Sequence, residues 1–235
     1  GNTPTAQQLP RARLGALLGP SAGRGDLDAA SALLNFVGYR GALETPACDL
    51  AHVDRRLVEI ARALATRPRV LLLDEPAAGL MRADKDMLGS LLQRIAATGI
   101  AVLIVEHDMA LVMDVSDHIV VLDAGRPIAT GEPSKVRSDP LVVAAYLGDA
   151  SMRARPRATR WGGSQDPILS AAKLSAGYGA VPALHAMDLT VRQGEMVALL
   201  GANGAGKSTA MRAMSGLLRP VEGAVMLDGA DVSSL

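Results

Sequence analysis

Short apolar runs and the turns that close them set out the chain. Residues 70–73, 100–105 and 119–122 are continuous and apolar. Runs of that length predict strands buried on both faces of a parallel sheet. Helical spacing fills the intervals. Ala29, Leu33, Leu34 and Val37 share a face over 28–37, with Gly38 as the stop. Leu57, Ile60, Ala61 and Leu64 share one over 54–67, where Arg55 and Glu59 stand as an i,i+4 charge pair and Pro68 ends the helix. Met87, Leu88, Leu91, Leu92 and Ile95 form a third face stopped by Gly99, and residues 109–115 suit a short helix. Gly125 marks a turn with 127–129 as its return, and 133–147 hold one or two further helical turns. From residue 168 the pattern is β-like: 168–174, a turn at Gly177-Tyr178-Gly179, alternation over 183–191, a fourth buried run at 196–200, and a strand and turn at 223–229. Residues 210–215 are compatible with a helix.

Buried strands alternating with helices predict an α/β fold with a mostly parallel sheet flanked by helices. Residues 168–195 and 223–229 predict an antiparallel β-subdomain beside it. Residues 1–27 carry no clear period. The stretch 151–167 also loses its apolar period, and Arg153, Arg155, Arg157 and Arg160 crowd there with Pro156, Gly162 and Gly163. It reads as a linker between parts 1–150 and 168–235, a solvated tether in preference to a phosphate or lipid patch.

Composition narrows the picture. The 235 residues allow one or two domains, and 49% hydrophobic content, with only 2% aromatic, provides a sizeable aliphatic core. Lys plus Arg equals Asp plus Glu at 24 each, so bulk charge offers no pull on nucleic acid. The lone Cys48 excludes an internal disulfide and suits a reducing compartment. No apolar run reaches the ~20 residues of a membrane span. The chain opens without an initiator Met and closes on Ser233-Ser-Leu235 without a capped element, which reads as a piece of something longer.

The sharpest chemistry is at Gly201-Ala-Asn-Gly-Ala-Gly-Lys-Ser-Thr209. It matches G-x-x-x-x-G-K-[ST] at Gly201, Gly206, Lys207 and Ser208, between an apolar strand and a helix. Glycines let successive N–H groups turn inward on phosphate oxygens, and the following helix adds its free N–H groups and positive dipole end. Asn203, Gly204, Ala205 and Thr209 complete the cradle. Lys207 would sit on the outer phosphates, and Ser208 would hold Mg²⁺. Asp74-Glu75 closes the first apolar strand. Such a pair is often only a helix cap. At the carboxyl edge of a parallel sheet it can instead hold Mg²⁺ through Asp74 and accept a proton from water through Glu75. His107 closes the next strand. Alone it reads as structural; beside an acidic strand end it reads as a sensor of the terminal phosphate.

These residues carry a family resemblance. Leu73-Asp-Glu-Pro-Ala-Ala-Gly-Leu80, Val105-Glu-His-Asp-Met109, Ser116-Asp117 and Val121-Leu-Asp-Ala-Gly125 resemble the second half of an ATP-binding cassette (ABC) ATPase. Residues 168–235 resemble the first half of one. The finer resemblance is to the paired ATPases of branched-chain amino acid importers, carried by Glu106-His-Asp-Met-Ala-Leu-Val-Met113, Ala145-Tyr-Leu-Gly148 and Leu174-Ser-Ala-Gly-Tyr178. It implies a P-loop NTPase-like fold, ATP and Mg²⁺, and a fusion of two cassettes, with the end of the first at 1–150 and the start of the second at 168–235. It also implies a second cassette as dimer partner, transmembrane permease subunits, an indirect substrate-binding protein outside the membrane, and a peripheral place on the cytoplasmic face of the inner membrane. Tyr178 becomes the residue that stacks on adenine, with a plain turn tyrosine as the alternative. A soluble ABC ATPase of DNA repair or translation is the rival; the long insertions and basic surfaces expected of one are not apparent.

The chain departs from the family at two places. The signature, usually L-S-G-G-Q, maps onto Leu50-Ala51-His52-Val53-Asp54. Ala51 has no hydroxyl for phosphate, and Val53 replaces a glycine needed for close backbone approach. Met81 stands where Asn or Asp is usual. The glutamine loop is missing and is expected outside this stretch at either end. A nucleotide-binding piece without turnover is therefore a further alternative. Two arrangements compete for the phosphate loop. In an intact parent it faces the 50–54 signature of the opposite cassette. In this chain the family's strand order leaves an empty slot between the His107-bearing strand and the strand after it. Filling that slot with 196–200 gives a circularly permuted pseudo-cassette, with Lys207 and Ser208 beside Asp74, Glu75 and His107.

Overall fold

The structure is a computed structural model that describes residues 24–147, 166–179 and 181–234. Its centre is a five-stranded sheet, in which β1 (Val70–Asp74), β2 (Ala101–Glu106), β7 (Met196–Gly201), β3 (His118–Asp123) and β4 (Arg126–Gly131) lie in that spatial order. The first four are parallel, and β4 returns antiparallel at the edge.

The phosphate-loop strand thus occupies the expected slot. On one edge Val102 is in register with Met196 and Glu106 with Leu200; on the other, His118 pairs with Val197 and Leu122 with Gly201. All of β7 is buried, so its N–H and C=O groups must find partners within the sheet. Its alternate side chains serve different layers. Met196, Ala198 and Leu200 join a core with α1 (Arg24–Val37), α2 (His52–Ala65), α3 (Arg82–Ala97) and α4 (Met109–Val115). Val197 and Leu199 join a second core with α7 (Lys207–Met214) and the antiparallel sheet. Full burial of each large apolar side chain stabilises by about 1.5–3 kcal/mol. Asp117 pins the start of the strand: its N–H donates to Met196 O at 2.7 Å, and its Oδ2 accepts from Met196 N at 2.9 Å.

The antiparallel sheet has the order β6-β5-β8-β9, from β5 (Pro167–Tyr178), β6 (Val181–Arg192), β8 (Glu222–Leu227) and β9 (Ala230–Asp231). Between β4 and β5 come α5 (Pro133–Arg137), α6 (Pro140–Val142) and a π-helical turn at Val143–Leu147. Among the described residues no helix is long and apolar enough to cross a membrane.

Three local expectations need correction. The first helix begins at Arg24, four residues ahead of the 28–37 pattern. The linker yields Pro167 to β5, where a first-strand position needs no N–H; residues 151–165 lie outside the described part. The Arg55–Glu59 pair is replaced by Arg56–Glu59 at 2.8 Å, because Arg55 turns back to donate to the Leu50 carbonyl at 3.3 Å.

Candidate functional site

Parallel strands deliver their carboxyl ends to one edge, and β1, β2 and β7 bring acid, imidazole and phosphate loop together there. After β7, Gly201 opens the loop, and Gly206 adopts φ of 95° as it enters α7. A side chain at Gly206 would put Cβ 2.5 Å from the Ala183 carbonyl, so only glycine fits. The Lys207 side chain is buried, and its Nζ donates to Gly201 O at 2.9 Å and Ala202 O at 3.0 Å. Ser208, Asn203 and Gly204 are exposed at the mouth, while Ala205 and Thr209 are buried beneath it.

Lys207 Nζ also stands 3.7 Å from Glu75 Oε1, and the same oxygen is 3.5 Å from His107 Nδ1. Two side chains, separated from it widely in sequence, therefore converge on one carboxylate. Glu75 has φ of 46°, a left-handed conformation that costs a non-glycine residue about 1–3 kcal/mol. Its N–H donates to Val105 O at 2.9 Å, which continues the β1–β2 ladder one step past Asp74 and holds the turn. Asp74 is exposed at the strand end.

A residue that sequence reasoning assigns no role supports this corner. Glu106 is fully buried. Its Oε1 accepts from Ala77 N at 2.8 Å, and its Oε2 accepts from His107 N at 3.2 Å. It thereby joins the loop after Glu75 to the backbone of His107. An acidic residue closing an otherwise apolar buried strand was the available signal. Asp108 caps α4 through Leu111 N and pairs with Lys85 at 2.6 Å. Burial pushes its carboxyl up, but the bonds to Lys85 and Leu111 prevail and hold it below its ordinary value.

Tyr178 lies at the β5–β6 turn, half exposed. Its hydroxyl accepts from Arg212 of α7 at 2.9 Å, and the guanidinium carbon sits 6.0 Å from the ring centre. The tyrosine is thus tied to the helix that follows the phosphate loop. The 50–54 segment does not join the convergence. Ala51 precedes α2, Leu50 and Val53 pack partly on the helical core, Asp54 lies in the first turn, and His52 Nε2 is 3.0 Å from Ala78 O. Its side-chain bond runs to the loop behind Glu75.

The β3–β4 turn closes on the phosphate loop from the far side. Gly125 N donates to Ala205 O at 3.1 Å, and Gly125 O accepts from His185 N at 2.8 Å. A Cβ on Gly125 would meet Ala183 O at 2.6 Å.

Comparisons with known proteins point to transporter ATP-binding proteins. The family model of the ABC transporter matches residues 184–234, and that of the branched-chain amino acid ATP-binding cassette transporter matches 126–151. The high-affinity branched-chain amino acid transport ATP-binding protein BraF of Pseudomonas aeruginosa is 50% identical over 102 residues, 43% of this chain and 40% of that protein. Its counterpart LivG of Escherichia coli K12 is 42% identical over 125 residues, 53% of this chain and 49% of that protein. The ribose import ATP-binding protein RbsA 1 of Mesorhizobium japonicum is 36% identical over 188 residues, 79% of this chain and 35% of that protein. A solved ATP-binding cassette of an ABC transporter is 32% identical, covering 53% of this chain and 51% of that one, with a TM-score of 0.49. The chain spans half or less of the length of these curated relatives, 35–49%. It carries ABC transporter ATPase domain sequence, related to branched-chain amino acid transport ATP-binding proteins at 42–50% identity.

Proposed function

We propose that this chain is the joined part of two ATP-binding cassettes from the ATPase of an importer, with branched-chain amino acids as the cargo class. The observation that carries the nucleotide reading is the convergence of Lys207 and His107 on Glu75, at 3.7 and 3.5 Å. Residues 1–150 supply the end of the first cassette and 168–235 the start of the second. A match to one relative over 79% of the chain has to include both sides of the 151–167 stretch, which supports two parts in this order. The family match at 126–151 and the two branched-chain relatives support the cargo class. The permease subunits, partner cassette and membrane-surface location of such importers belong to the same reading.

ATP binds with its phosphates over the 201–209 amides and its adenine against Tyr178. The Ser208 hydroxyl and the Asp74 carboxylate are both exposed oxygen donors at this edge, and they fit Mg²⁺, which takes few protein oxygens and completes its shell with phosphate and water. Bound there, the ion would neutralise charge on the phosphate oxygens. Lys207 leaves its backbone carbonyls for the outer phosphates. Glu75 accepts a proton from the attacking water, and His107 contacts the transferred group. Catalysis of this kind is positioning plus electrostatic stabilisation.

Purified chain tests it. Glu75→Gln should cut ATP turnover about 10²–10⁴-fold, the usual range for a general base, while ATP binding persists. Turnover unchanged by Glu75→Gln sinks the catalytic assignment. A second reading, binding without turnover, is favoured by Ala51 and Val53 in the signature segment. ATP binding without measurable hydrolysis in the wild-type chain would select it.

A further inference from the structure

Tyr146 is no part of the phosphate-loop motif, yet its hydroxyl reaches the loop across 56 residues of sequence. It sits in the π-helical turn after α6. The hydroxyl donates to Leu122 O at 2.7 Å and accepts from Ala202 N at 2.9 Å. Those partners are the β3 position paired with Gly201 and the first N–H after Gly201. Strand and loop are already in close approach there, since a Cβ on Gly201 would stand 2.8 Å from Leu122 O. Near its other end the loop is held by Gly125 N on Ala205 O, at 3.1 Å. Exposed Asn203 and Gly204 span the interval between these two holds.

We infer that Tyr146 is a positioning residue for the phosphate loop, holding Ala202 so that the amides after it stay aimed at a bound nucleotide. The inference rests on the nucleotide reading above. Its physical basis is entropy. Gly201, Gly204 and Gly206 give the loop wide conformational freedom, and a loop ordered before binding does not lose that freedom on binding. Removing the hydroxyl also takes a partner from both Ala202 N and Leu122 O. The contact acts on nucleotide affinity and leaves the groups around Glu75 untouched. Burial pushes the tyrosine hydroxyl above its ordinary value, against a smaller lowering by Ala202 N, so the donor stays protonated at neutral pH.

Tyr146→Phe in the full chain keeps the ring and deletes both bonds. The dissociation constant for MgATP should rise about tenfold, as for loss of a well-formed hydrogen bond, with turnover at saturating ATP unchanged. In nucleotide-free protein, amide exchange should quicken over 202–206, while β2, β3 and the melting temperature hold. Unchanged affinity and unchanged loop exchange overturn the inference. So does a uniform rise in exchange with a large drop in melting temperature, which marks a merely structural contact. A wild-type chain that binds no ATP sinks the nucleotide reading instead, and the nucleotide-free exchange comparison still decides whether Tyr146 holds the loop.

Discussion

The phosphate loop at 201–209 and the signature segment at 50–54 are the two stretches that would face each other across paired cassettes. They have fared differently. The loop keeps every fixed residue of its pattern and is held near both ends: by β2 and β3 along its strand, by Gly125 at Ala205, and by Tyr146 at Ala202. The signature segment has Ala51 and Val53 at its hydroxyl and glycine positions, and its His52 turns to Ala78 O in the loop behind Glu75. A motif made of backbone N–H groups depends on a local turn that its own glycines supply. A motif that needs one hydroxyl and one bare backbone would be weakened by a substitution at each.

The contrast is most sharply broken by charge removal. Lys207→Ala should weaken ATP binding more than about a hundredfold, the scale of losing one charged phosphate contact in a water-excluded site. Asp54→Ala should leave it unchanged. Comparable losses by titration calorimetry would mean that the signature segment also meets nucleotide in this chain. Backbone tolerance comes next. Gly206→Ala forces Cβ to 2.5 Å from Ala183 O at φ of 95°, and should cost about 2–4 kcal/mol in denaturant unfolding. Val53→Gly in the first turn of α2 should cost about 1 kcal/mol or less. A Gly206→Ala variant as stable as wild type would show the loop packing to be looser than described.

Restoration is a subtler test. Ala51→Ser with Val53→Gly rebuilds the missing hydroxyl and glycine. ATP turnover should rise severalfold and become dependent on protein concentration, as a head-to-tail pair requires. A flat response would leave the segment with only its His52 contact. The smallest effect concerns pH at the seam. His118 pairs with Val197, and its Nε2 meets Thr130 Oγ1 at 3.0 Å. Burial first, then the Arg192 charge, hold its imidazole below the ordinary value of 6.5. The folded state therefore favours neutral His118. Its contribution is full above 6.5 and is lost as pH falls toward the lowered folded value. Melting temperature should drop between pH 7 and 5.5, and His118→Asn should flatten that drop. An identical slope in the variant refutes the assignment.

Much of this was legible locally. The three apolar runs and the fourth at 196–200 became β1, β2, β3 and β7; β2, β7 and most of β3 are buried as expected of interior parallel strands, whereas β1, at the sheet edge, buries only Leu71. The slot between β2 and β3 was legible too, but only through a family's strand order, because parallel neighbours are not sequence neighbours. Glu106 and Tyr146 were not. A buried carboxylate and a half-buried hydroxyl take their roles from backbone groups 29 and 56 residues away, and no spacing rule reaches that far.

By itself, then, the sequence determined the phosphate loop, its glycines and its lysine, because a loop that binds through its own N–H groups is a local object. It determined equally which runs would be strands, though not that β1 would lie half-buried at the edge. Only the tertiary structure decided which carboxylate Lys207 faces. β7 carries no polar side chain that names its neighbours, and the open edges of β2 and β3 accept it, bringing Glu75 within 3.7 Å of a lysine 132 residues further along the chain.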